Sequence, residues 1–256
     1  MTLDLAHHAF GDRGPPVIVL HGLLGSARNW TTISKRLGES RRVFALDLRN
    51  HGASPWAPAM TYDDMAEDVR RFIEQSDLDP VSLIGHSMGG KVAMRLALLY
   101  HDLVERLVVV DVAPVVYQHS FDDYIDAMRA VDLARVTRRA EVDAALARAI
   151  PDFGVRAFLM QNLARDDDGF VWRLNLDAIA MSMDDILGWP EAGAARFEGE
   201  TLVLAGARSD YVRPEHRPLF EQLFPAARLE WIEGSGHWVH AEKPDRFLEA
   251  VTAFLG

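Results

Sequence analysis

Apolar residues along this chain gather in short dense runs, and longer stretches with a different rhythm separate them. Val17–Leu20, Arg42–Asp47, Val81–Ile84, Leu107–Asp111, Thr201–Ala205 and Arg228–Ile232 are the dense runs, rich in Val, Leu and Ile. Near-continuous apolar character over so few residues predicts strands buried on both faces of a parallel sheet. Between them, near Trp30–Leu37, from Tyr62 to about Gln75 and along Lys91–Tyr100, the pattern turns helical. Thr61 with Asp64 reads as a capping-box-like start for the second of these helices. Strands alternating with helices make the expected class α/β, a mostly parallel central sheet flanked by helices.

The strand rhythm stops between Pro114 and about Pro190. There Phe121, Tyr124, Ile125, Met128 and Val131 recur at helical spacing, as do Val155, Phe158, Leu159 and Leu163. A helical cap is expected at about 114–190, over a core of about 1–113 and 191–256. Core and cap together read as one domain spanning 1–256, a common size for this class.

The turn after Val81–Ile84 carries the candidate chemistry. Gly85-His-Ser87-Met-Gly89 is a Gly-x-Ser-x-Gly sequence set between a strand and a helix. A serine on so sharp a turn sits in strained backbone geometry with its Oγ above the sheet. A Cβ at Gly85 or Gly89 would strike the neighbouring backbone. The helix N-terminus aims the Met88 N–H at the point where charge develops on a substrate carbonyl. His21-Gly-Leu-Leu-Gly25 follows the first dense run, and its Leu23 N–H is the candidate second oxyanion donor.

A general base has to reach the serine hydroxyl, and His237, flanked by glycines in Gly234-Ser-Gly-His-Trp238, follows the last dense run. Two carboxylates qualify as its partner. Asp111 ends one strand run, and Asp210 follows another at Thr201–Ala205. Either would hold the His237 tautomer and stabilise its imidazolium. Asp177 is a third acid, expected to pack or cap a helix instead. Leu24, Phe121, Tyr124, Met181, Trp189 and Trp238 are the candidate lining of a substrate pocket beneath the cap.

These residues resemble the α/β-hydrolase superfamily over nearly the whole chain, and more narrowly the YbfF-type esterases and related abhydrolase-domain proteins of mitochondria. The resemblance rests on His21–Ser26, Asp47–Pro55, Gly85–Lys91, Val110–Pro114, Phe170–Asp177 and Gly236–Glu242. The Arg49-Asn-His-Gly52 and Val171-Trp-Arg-Leu-Asn-Leu-Asp177 stretches are distinctive within the superfamily. It implies a cap inserted after the sixth strand and a serine hydrolase of carboxylic esters, some members accepting acyl-CoA thioesters. It also implies that Asp210 holds the usual acid position and Asp111 an alternative one. Some YbfF-like relatives lack a carboxylate matching Asp210, which implies that Asp111 serves there.

Serine at 87 excludes the relatives that use an aspartate nucleophile. Cofactor-free haloperoxidases and carbon–carbon bond hydrolases keep the same triad and remain alternatives, as does a non-catalytic small-molecule receptor. Lys91 and Arg95 are read either as contacts for a CoA phosphate or as solvated helix residues.

A formal net charge of -11 argues against nucleic acid or an anionic membrane surface as partner. There are no cysteines, hence neither a disulfide framework nor a thiolate metal site. His51, His86 and His240 show no metal-ligand spacing, and the acidic runs at 122–123 and 166–168 read as solvated surface. No cofactor and no metal are expected. The N-terminus lacks a cationic and apolar leader, and no apolar run is long enough to span a bilayer, so a cytoplasmic location is expected.

Overall fold

A computed structural model describes residues 1–167 and 169–256; Asp168, the last of the acidic run, lies outside the described residues. The chain begins β1 (His7–Phe10), β2 (Pro16–Leu20), α1 (Thr31–Leu37), β3 (Arg42–Leu46), α2 (Tyr62–Gln75), β4 (Val81–His86), α3 (Met88–Leu99), β5 (Val104–Val110). The inserted segment follows as α4 (Asp122–Arg129), α5 (Arg139–Leu146), α6 (Phe153–Leu159), β6 (Leu163–Arg165), β7 (Phe170–Trp172), α7 (Leu176–Met181) and α8 (Met183–Leu187). The core then resumes with β8 (Glu200–Gly206), α9 (Arg217–Leu223), β9 (Ala227–Ile232), α10 (Val239–Glu242) and α11 (Pro244–Leu255).

The main sheet runs β1-β3-β2-β4-β5-β8-β9, antiparallel only where β1 meets β3. Every residue of β2 and β4 is buried, which is why these strands read as unbroken apolar runs. Their alternate residues face two cores. Val17 and Val19 pack with α1 and α11 residues such as Ile33 and Phe247, whereas Ile18 and Leu20 pack with Met65, Val92 and the cap. β9 departs from the expectation of burial on both faces: its residues alternate in exposure because it is an edge strand. Thr61 does cap α2, accepting from the Asp64 N–H at 3.1 Å.

Two features escaped the sequence pattern. β1 is short and largely exposed, so it leaves no apolar run. The cap is not wholly helical either, since β6 and β7 pair as a small antiparallel sheet. The insertion follows β5 in this chain's own numbering and leads back into β8, its neighbour in the sheet.

The two distinctive sequence stretches turn out to be partners. His51 and Leu174 form an isolated bridge, Gly52 N–H donates to Arg173 O at 2.9 Å, and Asn175 N–H donates to Asn50 O at 3.0 Å. The loop after β3 therefore anchors the cap over the sheet. Asp177 lies in the first turn of α7 and meets Arg129 at 2.5 Å, far from any catalytic role. Among the described residues, no helix is long and apolar enough to cross a membrane.

Parallel strands deliver their C-terminal ends to one edge. His21 follows β2, Ser87 follows β4, Asp111 follows β5, Ser209 follows β8 and His237 follows β9. From β2 the chain steps outward to β3, then crosses back to β4 on the other side, which opens a crevice at that edge.

Candidate active site

Ser87 has φ 52° and ψ -120°, a conformation that costs a β-carbon-bearing residue free energy and persists only under tight constraint. The constraints are visible around it. Ser87 N–H donates to Val110 O at 3.0 Å, and its carbonyl accepts from Gly90 and Lys91 N–H as α3 begins. A Cβ on Gly85 would lie 2.2 Å from Gly89 O, and one on Gly89 would lie 2.5 Å from both Leu20 O and His21 O. Only glycine at both positions allows the turn. Met88 opens α3, so no carbonyl of its own helix takes its N–H.

The loop carrying Leu23 is held by side chains that sequence reading treated as ordinary. His51 Nδ1–H donates to Arg49 O at 2.8 Å, which leaves Nε2 to accept the Leu24 N–H at 3.2 Å. From the cap, Asn162 donates to Leu24 O at 2.7 Å. His21 works similarly, donating from Nδ1 to Gly22 O and accepting the Leu48 N–H on Nε2. Leu24 itself has φ 58°, so the loop bends sharply over Ser87.

His237 Nδ1 donates to Asp111 Oδ2 at 2.7 Å, and that aspartate is wholly buried. The bond places the proton on Nδ1 and leaves Nε2 as an acceptor on the side of the cavity shared with Ser87. Asp111 has two further donors. Gly206 N–H reaches Oδ1 at 2.9 Å, and Ser209 O–H reaches Oδ2 at 2.5 Å. Tyr211 stacks on the His237 ring with centroids 3.9 Å apart, and His86 Nε2–H donates to His237 O at 2.9 Å.

Asp210 stands corrected as the contact of His237. It is exposed, and among the described residues no hydrogen bond joins it to the imidazole. Its neighbours Ser209 and Tyr211 point inward instead, Ser209 to Asp111 and Tyr211 onto the His237 ring. The loop after β8 thus supplies donors to the acid rather than the acid.

A cavity joins Ser87 and His237 and is lined by Leu24, Phe121, Tyr124 and Trp238. Met181 and Trp189 fall outside it. Met181 is 74% exposed on the outer face of α7, while Trp189 packs beside Tyr62 in a separate recess. Helical spacing could not separate the inner face of the cap from its outer one. Lys91 and Arg95 are also not solvated: both are buried, and Arg95 pairs with Asp63. Among the described residues, no three metal-ligating side chains converge.

The family model for the alpha/beta hydrolase fold matches residues 15–244, which span the elbow, the cap and the histidine loop. The chain belongs to the α/β-hydrolase family. This hydrolase is 44% identical over 264 residues to a Xenopus laevis protein named sn-1-specific diacylglycerol lipase ABHD11, covering 99% of this chain and 84% of the relative. It is 34% identical to esterase YbfF of Escherichia coli strain K12, covering 94% and 92%. A solved structure titled marine microorganism esterase superposes with a TM-score of 0.96 at 37% identity, covering 99% and 100%.

Four buried histidines surround the hydrolase site. Burial pushes His51 and His240 down to about 3 and moves His21 and His86 the same way. As pH falls below the ordinary histidine value of 6.5, the unfolded chain takes up protons that the fold refuses. Stability is therefore lost on acidification, by up to ~1.4 kcal/mol per pH unit for each histidine. Urea midpoints should fall steeply between about pH 6 and pH 4 at near-constant slope. A flat midpoint across that window would refute the neutral histidine cluster.

Proposed function

We propose that this carboxylesterase-type enzyme hydrolyses small-molecule carboxylic esters through Ser87, His237 and Asp111 by way of an acyl-enzyme. The observation that carries the reading is the 2.7 Å bond from His237 to a buried aspartate, at a cavity that also holds a strained serine. His237 Nε2 takes the Ser87 proton as Oγ attacks the ester carbonyl. Asp111 fixes the tautomer and stabilises the imidazolium without taking the proton. The N–H groups of Leu23 and Met88 hold the oxyanion, each contributing roughly 3–4 kcal/mol of transition-state stabilisation. The imidazolium then protonates the leaving alcohol, and water attacks the acyl-enzyme by the same route.

The names of the relatives, a diacylglycerol lipase and an esterase, support an ester as substrate. A thioester would present the same carbonyl to the same groups. A net charge of -11 supports a small-molecule partner over a polyanion.

The test is steady-state hydrolysis of p-nitrophenyl esters with acyl chains from two to sixteen carbons. Turnover should peak at short to middle lengths, because bulky Phe158, Leu159 and Trp238 line the cavity and limit its depth. A stoichiometric organophosphonate label should abolish it. A folded protein with no turnover at any length overturns the proposal.

A further inference from the structure

Ser87 also borders a second, smaller cavity on the side away from His240 and Trp238. Leu23, Met88 and Phe121 line it along with Ser87, and so does Lys91. Lys91 lies four residues after Ser87, near the start of α3, and its side chain borders the same cavity as the nucleophile. Its Nζ donates to Leu187 O at 3.0 Å and Gly188 O at 2.5 Å, at the C-terminal end of α8. The faces of Tyr117 and Tyr62 lie 4.8 Å and 5.5 Å from it.

A buried ammonium normally has a carboxylate beside it. Among the described residues none pairs with Lys91, whereas the buried Arg49 and Arg95 each have one, Asp68 at 2.7 Å and Asp63 at 2.5 Å. Two carbonyls and two ring faces are neutral partners that leave one N–H donor and the whole positive charge without a counter-ion. A bound anion is the group that completes this environment.

We propose that the second cavity is an anion subsite, in which Lys91 pairs with a carboxylate carried on one short arm of the ester substrate. The inference rests on the ester-hydrolase reading and narrows its substrate class to esters bearing a carboxylate near the scissile bond. Nucleophile and cation border the same small cavity, which suits a short arm between the ester carbonyl and the carboxylate. Burial also lowers Lys91 to about 7, and an anion beside it would restore the charged form.

The ionisable groups around Lys91 are Tyr62 from α2, Tyr117 and His119 after β5, and Tyr211 after β8. Burial raises the three tyrosines and lowers His119, so all four stay neutral at and above neutral pH. Asp184 and Asp185 of α8 line other recesses.

The experiment compares matched ester pairs on the intact enzyme, with released methanol or acetate followed by proton NMR. Monomethyl succinate against methyl isohexanoate places the carboxylate, or its neutral isostere, on the acyl arm. Acetoxyacetate against isobutyl acetate places it on the alcohol arm. In one pair the anionic ester should be preferred in kcat/KM by about tenfold or more. That ratio should fall as pH rises through about 7, as Lys91 loses its charge, while pH effects common to both esters divide out. Lys91→Met should abolish the preference, and if that variant does not fold, the wild-type pH dependence decides alone. Neutral esters turned over with no anionic preference at any pH would overturn the subsite and leave the esterase reading intact. No turnover of any ester would overturn both.

Discussion

Ser87→Ala should lower kcat toward accepted esters by about six orders of magnitude, the scale seen when a triad nucleophile is removed. The loss is expected to be this large because the oxyanion donors and the cavity stay in place but have no attacking atom to serve. What remains is catalysis by the Leu23 and Met88 N–H groups acting on water, which is weak without a bound nucleophile. The substitution removes one oxygen from a residue whose backbone hydrogen bonds, from its N–H to Val110 O and to its carbonyl from Gly90 and Lys91, are untouched. The fold should therefore survive, and circular dichroism with an unchanged urea midpoint checks that point. Wild-type turnover in the folded variant would remove Ser87 from the chemistry.

Asp111→Asn should cost about four orders of magnitude in kcat, whereas Asp210→Asn should leave kcat within about threefold. The contrast follows from the donors. Asp111 Oδ2 accepts from both His237 Nδ1–H and Ser209 O–H, and Oδ1 accepts from Gly206 N–H. An asparagine amide that keeps the Gly206 bond turns its NH₂ toward His237. The imidazole then has to accept on Nδ1, which moves the proton to Nε2 and removes the acceptor that Ser87 needs. Asp210 is exposed, and its loss changes only surface charge. Measuring kcat for both variants on one ester checks the assignment. A severe loss at Asp210 with little at Asp111 would reverse it.

Much of the site was legible because its geometry is local. Gly85, Ser87 and Gly89 sit within five residues, between a strand and a helix whose rhythms are themselves local, so the turn could be read directly. The contacts among His51, Leu24 and Asn162 could not, since they join loops from three distant parts of the chain. The Arg49-Asn-His-Gly52 and Val171–Asp177 stretches are distinctive, yet nothing in the sequence ties one to the other. Only the bridge between His51 and Leu174 shows that they hold each other.

The sequence alone determined the α/β layering, the elbow and the identity of the histidine loop, since each depends on periodicity or on residues adjacent in the chain. Tertiary structure decided which of Asp111 and Asp210 faces His237, because strand ends far apart in sequence meet only across the sheet. It also decided that Lys91 is buried and that Met181 is not. A helical pattern records which residues share a face, but the neighbour packed against that face determines whether a cation lies in water or beside a nucleophile.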